Sequence, residues 1–172
     1  MKLSSLEAIV DALNRARVRF LVVGGLAVNA HGYLRYTKDV DLVVRLTRED
    51  ILAAFRALEG IDYRPSVPIT AEQFADPAMR EAWRREKGML VLKFWSDTHR
   101  ETPLDVFIYE PFDFASEERV ALRSSEPDAL PAGFASIPSL VAMKRTAGRP
   151  QDLLDIDKLE KLAGLRRHDS GA

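Results

Sequence analysis

Apolar residues recur at two periods along the chain, and the switches between them mark out its elements. Leu6, Ile9, Val10 and Leu13 follow helical spacing, and Ser4 with Glu7 has the form of a capping box, so residues 5–16 are predicted as an amphipathic helix. Val18 to Val23 is a continuous β-branched and aromatic run ending at Gly24-Gly25, as a buried strand does. A helical segment to about Asn29 and a second strand over Asp39–Arg45 are expected next. Thr47 with Asp50 then caps a helix carrying Ile51, Leu52, Phe55 and Leu58. Residues 60–76, with Gly60, Pro65 and Pro68, read as a connection, and Asp76-Pro77 opens a charged helix that Gly88 stops.

The second half continues with strands. Met89–Trp95 is the third, and the polar SDTHRET leads to a fourth over Leu104–Tyr109. Arg119–Arg123 is expected as a short edge strand, and EPDALPAG as a junction. Helices begin at Pro138 and Pro150, each with proline in its first turn and glycine near its end, and the final RRHDSGA reads as a frayed tail. Early alternation of strands and helices, followed by successive strands, predicts an α/β (α+β) fold. It would have a mixed β-sheet core over residues 1–131, a small helical unit packed on it over 132–165, and a tail at 166–172.

Composition narrows the possible chemistry. The 172 residues carry a net charge of −1, so any nucleic-acid partner would need a local basic patch rather than a global field. The best such patch is Arg84-Arg85-Glu86-Lys87 with Arg80 one turn earlier, whose plainer reading is a solvated helix face. The absence of cysteine excludes disulfides, thiolate zinc sites and cysteine nucleophiles. The N-terminus has no signal-peptide pattern, and the longest apolar run, Phe20–Ala30, is far too short to span a bilayer. A soluble, cytoplasmic protein with no membrane partner is expected. His31 reads as a turn or packing residue, and Trp83 and Trp95 as core or partly buried side chains.

The acidic residues carry the candidate chemistry. Side chains alternate across a strand, so Asp39 and Asp41 emerge on one face, their Cα atoms about 6–7 Å apart, while Val40, Leu42 and Val44 emerge on the other. Two aspartates on one face repel unless a cation lies between them. Oxygen donors without cysteine suit Mg²⁺ or Mn²⁺ rather than zinc. Asp105 would add a third carboxylate if its strand lies beside the first. Three carboxylates can hold two ions about 4 Å apart, the arrangement used in phosphoryl transfer. An isolated Asp-x-Asp is common by chance, and Asp105 alone reads as a solvated strand-edge residue. Gly24-Gly25, between a strand and a helix, changes that weighting, because bare backbone N–H groups there can approach phosphate.

Gly-Gly, thirteen residues, Asp-Val-Asp-Leu and a later Asp in an apolar strand together resemble the nucleotidyltransferase superfamily motif. The spacer end Arg35-Tyr36-Thr37-Lys38 is similar to a variant found in minimal bacterial enzymes of the AbiEii/MenA-like kind, as is the C-terminal LVAMKRTAGRPQDLLDIDKL. The resemblance covers roughly 18–44, 104–108 and 139–159, and the middle of the chain carries none of it. It implies a mixed sheet of nucleotidyltransferase type. Gly24 and Gly25 would bind the triphosphate of an NTP co-substrate, Lys144 would contact its phosphates, and Arg35 and Thr37 would orient phosphate or Asp41. Asp39, Asp41 and Asp105 would be catalytic and hold the metals. Arg149 and Asp152 are weaker candidates, and Asp155 could simply pair with Lys158 on a helix surface. The implied reaction moves an NMP onto a hydroxyl acceptor, a tRNA 3′ end or a protein, in a toxin–antitoxin or phage-defence setting with a cognate antitoxin or partner chain. The alternatives are an antibiotic, small-molecule nucleotidyltransferase and a non-catalytic binding protein of the same fold.

Overall fold

The computed structural model describes residues 1–126 and 129–169. In chain order its elements are α1 (Leu3–Arg15), β1 (Phe20–Val23), α2 (Gly24–Ala30), β2 (Val40–Val44), α3 (Arg48–Glu59), β3 (Arg64–Pro65) and α4 (Ala71–Ala75). There follow α5 (Pro77–Lys87), β4 (Val91–Trp95), β5 (Leu104–Phe107), α6 (Phe114–Val120), α7 (Ile137–Ala147) and α8 (Pro150–Asp169). The strands form one mixed sheet in the order β1-β2-β5-β4-β3, in which β2 and β5 run parallel and the other neighbours antiparallel. The expected α+β class with a mixed sheet and flanking helices is what the chain adopts.

Side-chain alternation splits the sheet into two faces. Phe20, Val22, Val40, Leu42, Val44, Leu92, Phe94, Leu104 and Val106 point into one core, completed by α1, α3, Phe74 and Trp83. Leu21, Val23 and Val43 point the other way, into a second core with α2, Phe114 of α6, α7 and Leu159 of α8. Asp41, Asp105 and Lys93 emerge on this second face, which opens into a cavity at Asp41 and Asp105.

Several local expectations are corrected. Ser4 and Glu7 form no capping box; α1 starts earlier, after Lys2, with no side-chain cap. The connection at 60–76 contains β3, a two-residue edge strand, and α4, whose Thr70 and Gln73 make a reciprocal capping box. The edge strand expected at Arg119–Arg123 is mostly the helix α6, started by Asp113 accepting from Ser116 N, and only Leu122 bridges to Phe134. Gly164 does not end α8, which runs on to Asp169. Of the expected tail, Ser170–Ala172 lie outside the described residues, as do Pro127 and Asp128 of the expected junction. Arg80 is buried and donates to the Phe74 carbonyl at 2.6 Å, so it does not extend a basic patch. No helix among the described residues is long and apolar enough to cross a membrane.

Buried Glu117 of α6 fixes the start of α7. Its Oε1 accepts from Ser136 N at 2.5 Å and its Oε2 from Ser139 Oγ at 2.6 Å, satisfying groups that a helix N-terminus leaves without partners. Glu117→Ala is expected to cost about 2 kcal/mol, because buried donors lose a charged acceptor. In urea unfolding this appears as a lower midpoint at unchanged slope, with Glu117→Gln recovering part of the loss.

Candidate functional site

Four residues stand in one row across the open face: Val23, Asp41, Asp105 and Lys93 are successive register partners on β1, β2, β5 and β4. The parallel pairing of β2 with β5 therefore sets Asp41 directly beside Asp105, the adjacency on which the triad expectation depended. Asp39 lies one residue before β2 and acts electrostatically on Asp41. Gly24 closes the near end of the row. Its φ of +62° is in the left-handed region, and a Cβ there would sit 2.6 Å from Asp41 Cγ, so only glycine fits. Gly25 is bare for another reason: a Cβ would lie 2.7 Å from Thr37 Oγ1 and 3.0 Å from an Arg35 guanidinium nitrogen. Arg35 and Thr37 thus pack behind the glycine turn, and Thr37 Oγ1 also donates weakly to the Asp39 carbonyl at 3.4 Å.

Lys144, on α7, is only 6% exposed, with its ammonium 3.2 Å from Asp152 and 2.6 Å from Asp155. It is not a solvated lysine. Asp155, with a fully buried side chain, does not pair with Lys158; it binds Lys144, Arg35 at 2.9 Å and Gln151 at 2.9 Å. Burial pushes its carboxyl up, but hydrogen bonds from Lys144, Gln151 and Arg35 outweigh that and hold it below the ordinary range. Asp152 behaves alike, with Arg149 and Lys144 as its donors. This cluster ties the loop before Asp39 to the junction of α7 and α8. Arg149 differs from Lys144 in being 74% exposed while bonded to Asp152 at 2.8 Å.

A cavity of about 350 Å³ opens over the row. Gly24, Asp41, Asp105, Lys144, Arg149 and Asp152 form its polar side, and Leu90, Val91, Phe107, Tyr109, Leu140 and Met143 its apolar side. Three solved structures match the fold over nearly the full length of both chains. The solution structure of the antibiotic-resistance factor ANT(2'')-Ia matches with a TM-score of 0.55 and 15% identity, covering 97% of this chain and 92% of that one. The crystal structure of ANT(2'')-Ia in complex with adenylyl-2''-tobramycin matches at 0.53 and 14%, covering 98% of each. The lincomycin-bound lincosamide antibiotic adenylyltransferase LnuA matches at 0.56 and 14%, covering 94% and 98%. The fold is that of the nucleotidyltransferases. No family model matches the chain, and no curated protein does.

Within this nucleotidyltransferase fold the carboxylates are in electrostatic conflict. Asp41 is pushed up to about 6, first by burial and then by the charges of Asp39 and Asp105, with Arg149 and Lys144 opposing more weakly. A divalent cation would remove that conflict, so the all-oxygen donor set fits Mg²⁺ or Mn²⁺. Among the described residues, however, no three acidic or histidine groups converge as a metal-ligating cluster. Asp105 directs both oxygens to Lys93, at 3.2 and 2.8 Å, and Lys93 is a member of the row that the sequence reading did not single out. The available signal was weak: a lone lysine between Leu92 and Phe94 at an outward-facing strand position.

Two outcomes are expected. Asp41 has a folded-state value above its unfolded one, so the folded protein binds the extra proton, and this group destabilises the fold above pH 6 and ceases to do so as the pH falls toward 4. In metal-free protein at pH 7.5, Asp41→Asn should therefore be more stable than wild type by about 1–2 kcal/mol, a figure reduced for partial solvent exposure. Thermal unfolding across pH 4–8 should show that gap closing on acidification. Conversely, Asp155→Ala leaves Arg35 and Lys144 without their shared counter-ion and should cost about 3–5 kcal/mol.

Proposed function

We propose that the chain is a metal-dependent nucleotidyltransferase that moves an NMP from an NTP to a hydroxyl of a small molecule and releases pyrophosphate. The observation that carries this reading is the placement of Asp41 and Asp105 as register neighbours beside a glycine turn, lining a cavity that Lys144 and Arg149 also line. Asp39 and Asp41 would hold Mg²⁺ or Mn²⁺, with Asp105 as the third ligand. Such ions, when bound, supply positive charge at the reacting phosphate.

The remaining work falls to the protein's own groups. Gly24 leaves the cavity wall bare where a triphosphate must approach. Exposed Arg149 offers a guanidinium to the phosphates, whereas Lys144 lines the cavity with its ammonium already held by Asp152 and Asp155. Asp105 would take the acceptor proton as the acceptor oxygen bonds to the α-phosphorus and the bond to pyrophosphate breaks. Holding both substrates in one cleft supplies the rest of the rate.

A small-molecule acceptor is favoured by the apolar wall of Leu90, Phe107, Tyr109, Leu140 and Met143, which suits a partly apolar compound of modest size. The antibiotic adenylyltransferases of the same fold point the same way. A tRNA 3′ end or protein acceptor, with an AbiEii/MenA-like toxin–antitoxin or phage-defence role and a partner chain, stands second. The one local basic patch loses Arg80 to the core, and Arg84 stacks over Tyr109 at 4.3 Å.

Incubation with each α-labelled NTP, Mg²⁺ or Mn²⁺, and separately a lincosamide, an aminoglycoside, total tRNA and cell protein tests the reading. Label is expected on a small molecule, falling by about a thousandfold or more in the Asp39→Asn, Asp41→Asn double variant. Transfer that survives the double variant would sink the metal assignment. Label on tRNA or protein alone would establish the second reading, and nucleotide binding without transfer a binding protein.

A further inference from the structure

The cross-strand pair of Lys93 and Asp105 has a consequence for metal binding. They are register partners on antiparallel strands, so their side chains leave the sheet side by side on the open face. Asp105 is buried and has both oxygens engaged by the Lys93 ammonium. The Lys93 side chain is 63% exposed, so it stays well hydrated while its tip reaches back over the sheet to the carboxylate. Asp105 meanwhile has Asp41 as its neighbour on the other side.

An ammonium set against both oxygens competes with a divalent cation for the carboxylate's lone pairs. We infer that Lys93 is a positioning residue that holds Asp105 and competes with metal for it, so that part of this ion pair must be given up for Asp105 to join Asp39 and Asp41 as a metal ligand. The inference rests on the nucleotidyltransferase reading of the three carboxylates and adds a residue to it. Lys93 neutralises Asp105 while the site is empty, limiting its repulsion of Asp41, and in doing so it weakens the site for metal. Once displaced, the long exposed side chain needs no rebuilding of the fold to move, because the strand pairing that carries it is made by the backbone.

The test is Mn²⁺ titration of the nucleotide-free full-length chain by calorimetry at pH 7.5, with no turnover involved. Lys93→Met removes the ammonium but keeps an apolar stem, and its apparent Kd for Mn²⁺ should be roughly tenfold lower than that of wild type, about 1.4 kcal/mol tighter. Lys93→Arg, which can also hold both oxygens, should stay within about twofold of wild type. A purely structural ion pair would lower metal-free stability in Lys93→Met without changing Mn²⁺ affinity, and unchanged or weakened affinity overturns the inference. If Lys93→Met does not fold, Lys93→Gln carries the same comparison. Binding to wild type that Asp41→Asn abolishes but Lys93→Met leaves unchanged defeats the Lys93 inference alone. Absence of Mn²⁺ binding in both wild type and Lys93→Met removes the metal site, and the function reading falls with it.

Discussion

The structure depends on two carboxylates being forced together. Parallel pairing of β2 with β5 makes Asp41 and Asp105 register neighbours, and backbone hydrogen bonds and two apolar cores hold that register against their repulsion. A slip by one residue would turn Val40, Leu42 and Val106 out of the core, so the apolar face fixes where the acids stand. The surroundings answer the resulting charge piecemeal: Lys93 takes Asp105, and Arg149 and Lys144 lower Asp41. Even so, burial and the charges of Asp39 and Asp105 push Asp41 up to about 6.

The same parallel pairing accounts for the middle of the chain. Two parallel neighbours need a crossover, and here it runs from α3 through β3, α4, α5 and β4 before β5 enters beside β2. Its residues follow no motif, but they do two jobs. Leu58, Tyr63, Phe74 and Trp83 complete the core beneath the sheet, and β4 delivers Lys93 to the face above. A segment without family resemblance thus sets the electrostatics of the acidic row.

What was legible from sequence was whatever is encoded locally. Alternation placed Asp41 and Asp105 on strands, with Asp39 falling just before β2, and Asp76-Pro77 and Gly88 bounded α5. Local signals misled where tertiary context decides. Arg119 to Arg123 reads as strand, yet Asp113 caps a helix through Val120 and leaves one bridge at Leu122. Ser4 and Glu7 match a cap, but the chain enters α1 two residues too early to use it. Cross-strand partners are invisible to any local pattern, so the Lys93–Asp105 pair and the Arg35–Asp155–Lys144 contact, which spans up to 120 residues of sequence, had to be seen in space.

That second contact gives the C-terminal helices a role beyond covering the sheet. Buried charges are costly unless each is met, and here Arg35, from the loop that leads to Asp39, and Lys144, from the cavity wall, share the single carboxylate of Asp155. A shift of the loop would withdraw Arg35 from Asp155 and leave that carboxylate to Lys144 and Gln151. Arg35 in turn fills the space that Gly25 leaves open, so the glycine turn, the acidic loop and the cation-bearing helices are braced by one network. Glycine at position 25 is then required first by Thr37 and next by the Arg35 guanidinium, while glycine at 24 is required by the Asp41 carboxylate. Two adjacent glycines that look alike in sequence therefore answer to opposite sides of the site.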